Sequence, residues 1–142
     1  MPEISFYVLA TTSEQERSLY ACRLIEKAYR NGHICYVLTD TDEQAQALDD
    51  LLWTFRAGSF VPHQRYDGSL PGLERVILIS PLDPPEVWRK TLVNLSSRMP
   101  ADYERAERIL EIVYDNEEVR GAGRHRYRQY RQAGIEITTH TI

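Results

Sequence analysis

The chain has 142 residues, 42% of them hydrophobic and 27% charged, with a formal net charge of -4. That length and balance suit one globular domain with its own core, residues 1–142, and exclude a disordered or fibrous chain. No apolar run approaches the roughly 18 residues of a membrane span, and the start lacks the basic region and cleavage pattern of a signal peptide, so a cytoplasmic protein with no membrane partner is expected.

Ile4 to Leu9 is a short apolar run that predicts a strand buried on both faces. Ser13 followed by Glu16 fits a capping box, and Leu19, Cys22, Ile25, Ala28 and Tyr29 then recur at helical spacing up to the Asn31-Gly32 stop. Ile34 to Leu38 is a second strand. Thr41 and Gln44 repeat the capping pattern for a second helix, with Ala45, Leu48, Leu51 and Leu52 as its buried stripe and its end near Trp53. Strand, helix, strand, helix with short connections predicts a largely parallel sheet.

The next segment holds Gly58, Pro62, Gly68, Pro71 and Gly72 and predicts a loop with at most a short strand at Phe60 and Val61. Val76 to Ile79 returns to the sheet, and Glu86 to Arg89 forms a turn of helix after three prolines. Thr91 to Leu95 and Ile109 to Tyr114 predict further strands, although the stretch from Ala101 to Val119 also suits one continuous helix. Ile135 to Thr139 closes the pattern as a β-branched strand.

Between these lies Asp115 to Gly134, where five of the seventeen Lys and Arg residues fall between Arg120 and Arg131. On a helix advancing about 100° per residue, Arg120, Arg124, Tyr127 and Arg131 stand one above another with Arg128 on the flank. Val119, Ala122, Gly123, Tyr130 and Ala133 form a small, apolar opposite side. Such a charge run is compatible with a solvated face. It equally suits recognition of carboxylate or phosphate, because guanidinium forks surround an aromatic ring. The negative total charge favours a local ligand over a long polyanion.

Catalytic and cofactor signals are missing. The first strand-to-helix turn, Leu9 to Ser13, has no glycine, and neither a GxGxxG fingerprint nor a phosphate loop occurs, although the bare helix start at Ser13 suits an anion. The four histidines lack metal-ligand spacing. Cys22 and Cys35 are isolated, which excludes a disulfide framework or a CxxC site and predicts buried thiols. No cofactor, metal or catalytic residue is expected. Trp53, Phe55, Phe60, Val61 and Pro62 cluster within ten residues, either as a core edge or as an exposed protein interface.

Leu48-Asp49-Asp50-Leu51-Leu52-Trp53 followed by Ser59-Phe60-Val61-Pro62-His63, and then Arg124 to Gly134, resemble the LD-x-x-LW, SFVPH and RxRxxxYRxxG signatures of the chi subunit of bacterial DNA polymerase III. The resemblance spans nearly the whole chain. It implies a Rossmann-like α/β domain with helices on both faces and no catalytic activity. It further implies a replication adaptor that joins the clamp loader, through the psi subunit, to the acidic C-terminal tail of single-stranded DNA-binding protein.

Carried over by position, the tail site is Arg124 with Arg120, Tyr127, Arg128 and Arg131 around it. Trp53, Phe60, Val61 and Pro62 match the part facing psi, or a helicase in its place. Nucleic acid is then an indirect partner. Direct binding of single-stranded nucleic acid by the basic helix, with its aromatic residues stacked on bases, is the competing expectation, and a degenerate nucleotide-binding enzyme is a third.

Overall fold

The computed structural model describes residues 1–58 and 60–142. Ser59, the first residue of the Ser59–His63 stretch, lies outside them.

Among the described residues seven strands form one sheet: β1 (Glu3–Val8), β2 (Cys35–Leu38), β3 (His63–Arg65), β4 (Ile77–Ser80), β5 (Thr91–Asn94), β6 (Arg108–Val113) and β7 (Ile137–Thr141). Their order across the sheet is β3-β4-β2-β5-β6-β1-β7, and every pair is parallel. Three α-helices among the described residues, α1 (Glu14–Arg30), α2 (Asp42–Thr54) and α3 (Glu117–Gln132), cover both faces. The expected largely parallel, two-faced α/β architecture is therefore present.

Local chemistry sets the helix starts. The Ser13 hydroxyl accepts from the Glu16 N–H at 3.2 Å, and Thr41 does the same for Gln44 at 3.1 Å. Asn116 caps α3 by accepting from the Val119 N–H at 3.1 Å. Such caps satisfy backbone donors that a helix start leaves without partners. At Ser13 the Thr11 hydroxyl also accepts from the Ser13 N–H at 3.1 Å, so side chains occupy donors that an anion would need.

On one face Cys22 and Ile25 of α1 and Leu48 and Leu52 of α2 pack on Val37, Ile79, Val93 and Ile112. On the other, Tyr130 of α3 and Trp88 of a 3-10 turn at Glu86–Arg89 pack on Ile4, Phe6, Tyr36, Leu92 and Ile109. Alternate residues of each central strand serve opposite cores, which is why these strands read as unbroken apolar runs. Both cysteines are free and buried, and burial pushes each thiol up to about 12.

Three expectations need correction, and one pair of alternatives is decided. The short strand after α2 is His63–Arg65 rather than Phe60 and Val61, because Pro62 has no N–H for a ladder and the chain pairs only after it. After Ala101 the strand reading holds and the alternative single helix does not: a 3-10 turn at Tyr103–Arg105 precedes β6, whose residues bury toward both faces. The last strand starts at Ile137, since Ile135 is used to pack the end of α3. Finally, β1 is not fully buried, because Tyr7 and Val8 are half-buried beside the edge strand β7.

Candidate functional site

The core-facing stripe of α3 is the half-buried Val119 and the buried Gly123, Arg126 and Tyr130, at i, i+4, i+7 and i+11. The basic stripe is one residue further on, about 100° round the helix, and so lies beside the core-facing stripe rather than behind it. Ala133, expected to fasten α3, is exposed just past its last turn.

Arg126 replaces it. This arginine is 2% exposed, and its Nε and Nη2 both lie 3.1 Å from Oε1 of Glu111, which has no exposure at all. Oε2 of the same carboxylate accepts from the Tyr130 hydroxyl at 2.8 Å and from Asn94 Nδ2 at 3.2 Å. The Asn94 side-chain oxygen Oδ1 accepts in turn from the Ser96 N–H at 2.9 Å. Two α3 side chains one turn apart are thus bolted to β6, which fixes the rotation of the helix about its axis. Burial and the adjacent carboxylate push the Tyr130 hydroxyl well above its ordinary range, so it stays a donor.

With its rotation fixed, α3 holds its basic stripe over a groove of about 400 Å³. Phe6 and Val8 of β1, Val113 of β6 and Thr139 of β7 line it together with Gly123, Arg120, Arg124 and Tyr127. Gly123 makes room: a Cβ there would stand 3.0 Å from Val113 Cγ1. Phe6 meets the Tyr127 ring edge-on at 5.4 Å between centroids. The floor is apolar and the rim cationic.

The rim residues are held to different degrees. Arg120 is half-buried, with Nη1 3.2 Å from Asp115 Oδ1. Arg131 lies over the Tyr127 ring at 5.9 Å, and its Nη1 donates to the Tyr127 hydroxyl at 3.5 Å. Arg124 and Arg128 are exposed and form no ion pair among the described residues. Arg120, Arg124 and Tyr127 therefore share the groove, Arg131 steadies its aromatic wall, and Arg128 stands outside it.

Phe6, Val8, Val113 and Thr139 were not expected here. The first two belong to a strand whose apolar run carries no sign of its lateral place in the sheet. Their role follows from the position of β1 next to the edge strand β7, where Val8 is only half-buried and the groove opens between the sheet and α3.

Filling the gap above Gly123 tests the geometry. Gly123→Leu is expected to cost about 1–3 kcal/mol through overpacking against Val113, read by urea unfolding, and to close the groove to any ligand.

The aromatic cluster divides. Trp53 and Phe60 are 57% and 58% exposed and pack together at 5.3 Å, with the buried His63 ring 4.9 Å from Trp53. His63 is anchored by Nδ1, 2.7 Å from the Val61 carbonyl, and by Nε2, 3.1 Å from the Asp49 carbonyl. Val61 is 2% exposed and belongs to the core of the α1/α2 face, which removes it from any partner surface; Pro62 is half-buried. Alanine at Val61 is expected to cost roughly 1–3 kcal/mol of stability through cavity formation. Trp53→Ala and Phe60→Ala are expected to stay within about 1 kcal/mol of the parent, as thermal unfolding would show.

Among the described residues no group of three or more His, Cys, Asp or Glu is arranged to hold a metal, and no helix is long and apolar enough to cross a membrane.

Residues 1–138 match the family described as DNA polymerase III chi subunit, HolC. The chain is 31% identical over 142 residues to DNA polymerase III subunit chi of Pseudomonas aeruginosa, covering all of this chain and 98% of that protein. It is 28% identical over 121 residues to the Escherichia coli subunit of the same name, covering 84% of this chain and 82% of the other. In three dimensions it resembles T4 UvsW with a TM-score of 0.70 over 99% of this chain. It spans 41% of that chain, and at 10% identity the likeness concerns the fold alone.

Proposed function

Since this chain belongs to the chi subunit family of DNA polymerase III and so serves DNA replication as an accessory subunit, we propose that it is a non-catalytic adaptor whose groove beside α3 binds the acidic C-terminal tail of single-stranded DNA-binding protein. The observation that carries this reading is the pairing of an apolar floor with a cationic rim in one groove. An aromatic last residue would lie on Phe6, Val8 and Gly123, against Tyr127. Its terminal carboxylate would reach Arg124 and Arg120, and preceding aspartates would face Arg128 and Arg131. Arginine forks suit carboxylates in two-point geometry, and such charge-assisted bonds are stronger than neutral ones.

Because most of the rim is exposed, each ion pair formed outside the groove contributes little. The floor must therefore supply much of the affinity, and the arginines the selectivity and the salt dependence. Titration calorimetry with the acidic tail peptide, and with the same peptide lacking its last residue, tests this. Micromolar binding, about -8 kcal/mol, is expected for the first and near-loss for the second. Equal binding of both would overturn the reading. Tight, salt-dependent binding of bare single-stranded DNA without any response to the peptide would install direct nucleic-acid binding in its place.

The exposed Trp53 and Phe60 pair supports a second surface, well removed in sequence from the groove, for the psi subunit or a helicase in its position. Aromatic anchors of this kind dominate protein interfaces. Trp53→Ala and Phe60→Ala variants are expected to be recovered folded but without psi in co-purification; unchanged recovery would sink the assignment.

A further inference from the structure

The groove is bordered by an open sheet edge. β7 ends the sheet and pairs with β1 alone among the described residues, in the unbroken register Ile4 with Ile137 through Val8 with Thr141. The Ile142 N–H donates to the Val8 carbonyl at 2.9 Å. Successive residues of a strand turn their N–H and C=O groups to alternate sides. Thr138, His140 and Ile142 therefore face β1, whereas Ile137, Thr139 and Thr141 direct theirs outward. The parity of β1 agrees, since the Glu3 and Leu9 N–H groups donate to Glu107 and Val113 on the β6 side.

Sheet edges are ordinarily blunted by lysine, proline, a bulge or a covering element. The β7 segment, Ile137 to Thr141, carries none of these and is exposed from Thr138 onward. Thr139 has its side chain in the groove and its backbone on this open edge.

The basic stripe runs alongside. From Arg124 to Arg131 is about two helical turns, roughly 10.5 Å, the length of about three extended residues. Arg124 stands with Val8 and Val113 at the C-terminal ends of the strands, and α3 descends from there toward the start of β7. A peptide with its carboxylate at Arg124 and earlier acidic residues at Arg128 and Arg131 would run parallel to β7.

Resting on the tail-binding reading above, we propose that the acidic peptide residues preceding the terminal carboxylate add to β7 as an eighth, parallel strand. They hydrogen-bond to the outward backbone groups of Ile137, Thr139 and Thr141. The main chain then supplies length and register, the arginines select acidic side chains, and the groove selects the end.

Residue-resolved amide exchange of the full chain with a ten-residue acidic peptide bearing a free C-terminal carboxylate tests this. The Thr139 and Thr141 amides are expected to slow at least about tenfold on binding, while Thr138 and His140 are slow already. Thr141→Pro removes an outward N–H without touching the β1 ladder. It is expected to weaken the ten-residue peptide about tenfold and a peptide of only the last three residues hardly at all.

If the long peptide binds in an Arg124-dependent way while the Thr139 and Thr141 amides exchange as before, the strand proposal is overturned and the groove reading survives. If no peptide binds, both fail. Concentration-dependent protection of the same amides without peptide, with a dimer in sedimentation, would give the edge to a second copy of the chain and also overturn it.

Discussion

Arg124→Ala is expected to weaken binding of the acidic tail peptide by about 1.5–3 kcal/mol, the range for a hydrogen bond to a charged group, or roughly ten- to a hundredfold. Folding should be untouched, because the side chain is exposed and forms no ion pair among the described residues. Arg128→Ala, one turn further and outside the groove, is expected to lose about 0.2–1 kcal/mol, as exposed pairs do. The contrast between the two matters more than either value, since both remove one positive charge from the same helix. Equal losses, measured by calorimetry at two salt concentrations, would mean that the helix attracts the peptide through its general field. Normal binding by a folded Arg124→Ala variant would remove the site altogether.

Glu111→Gln should be among the most destabilising single changes in the chain. Its carboxylate is fully buried and holds Arg126, Tyr130 and Asn94 together. Removing the charge strands a buried guanidinium, for which about 3–5 kcal/mol is typical. One nitrogen of that guanidinium, Nη1, is already buried with no partner among the described residues. Replacing both members, Glu111→Leu with Arg126→Met, should be markedly more stable than the sum of the single changes predicts, because no charge is left behind. Chemical unfolding of the four proteins measures this coupling; strict additivity would show that the pair does not act as a unit. Because the same pair sets the rotation of α3, Glu111→Gln should also lower peptide affinity while leaving all of the rim arginines in place.

The basic stripe was legible because a helical period is a local property, and Arg120, Arg124, Tyr127 and Arg131 share it without reference to anything else. Which arginine turns inward was not legible. Arg126 lies within the same run and is marked only by Glu111, on a strand whose own sequence also suits a helix. The floor was hidden for a related reason: Phe6 and Val8 sit in an apolar run that would read the same at the centre of a sheet or next to its edge. For the aromatic cluster, composition located the patch but not its inner and outer members. Val61 and Phe60 are adjacent and alike in polarity, and only the path of the chain into β3 sends one to the core and the other to solvent. The caps at Ser13 and Thr41, by contrast, are set within four residues and were plain at once.

The lateral place of β1 also bears on how the molecule is made. Its two neighbours in the sheet, β6 and β7, come from the last third of the chain, with Ile4 flanked by Ile109 and Ile137. During synthesis β1 therefore has no partner until β6 and β7 follow more than a hundred residues later, and contacts so distant in sequence are slow to form. Phe6 and Val8 wait with it. A nascent chain stalled before α3 would expose that apolar strand to chaperones or to aggregation, and it could not yet contain the groove, which closes only when β1 meets β6, α3 and β7.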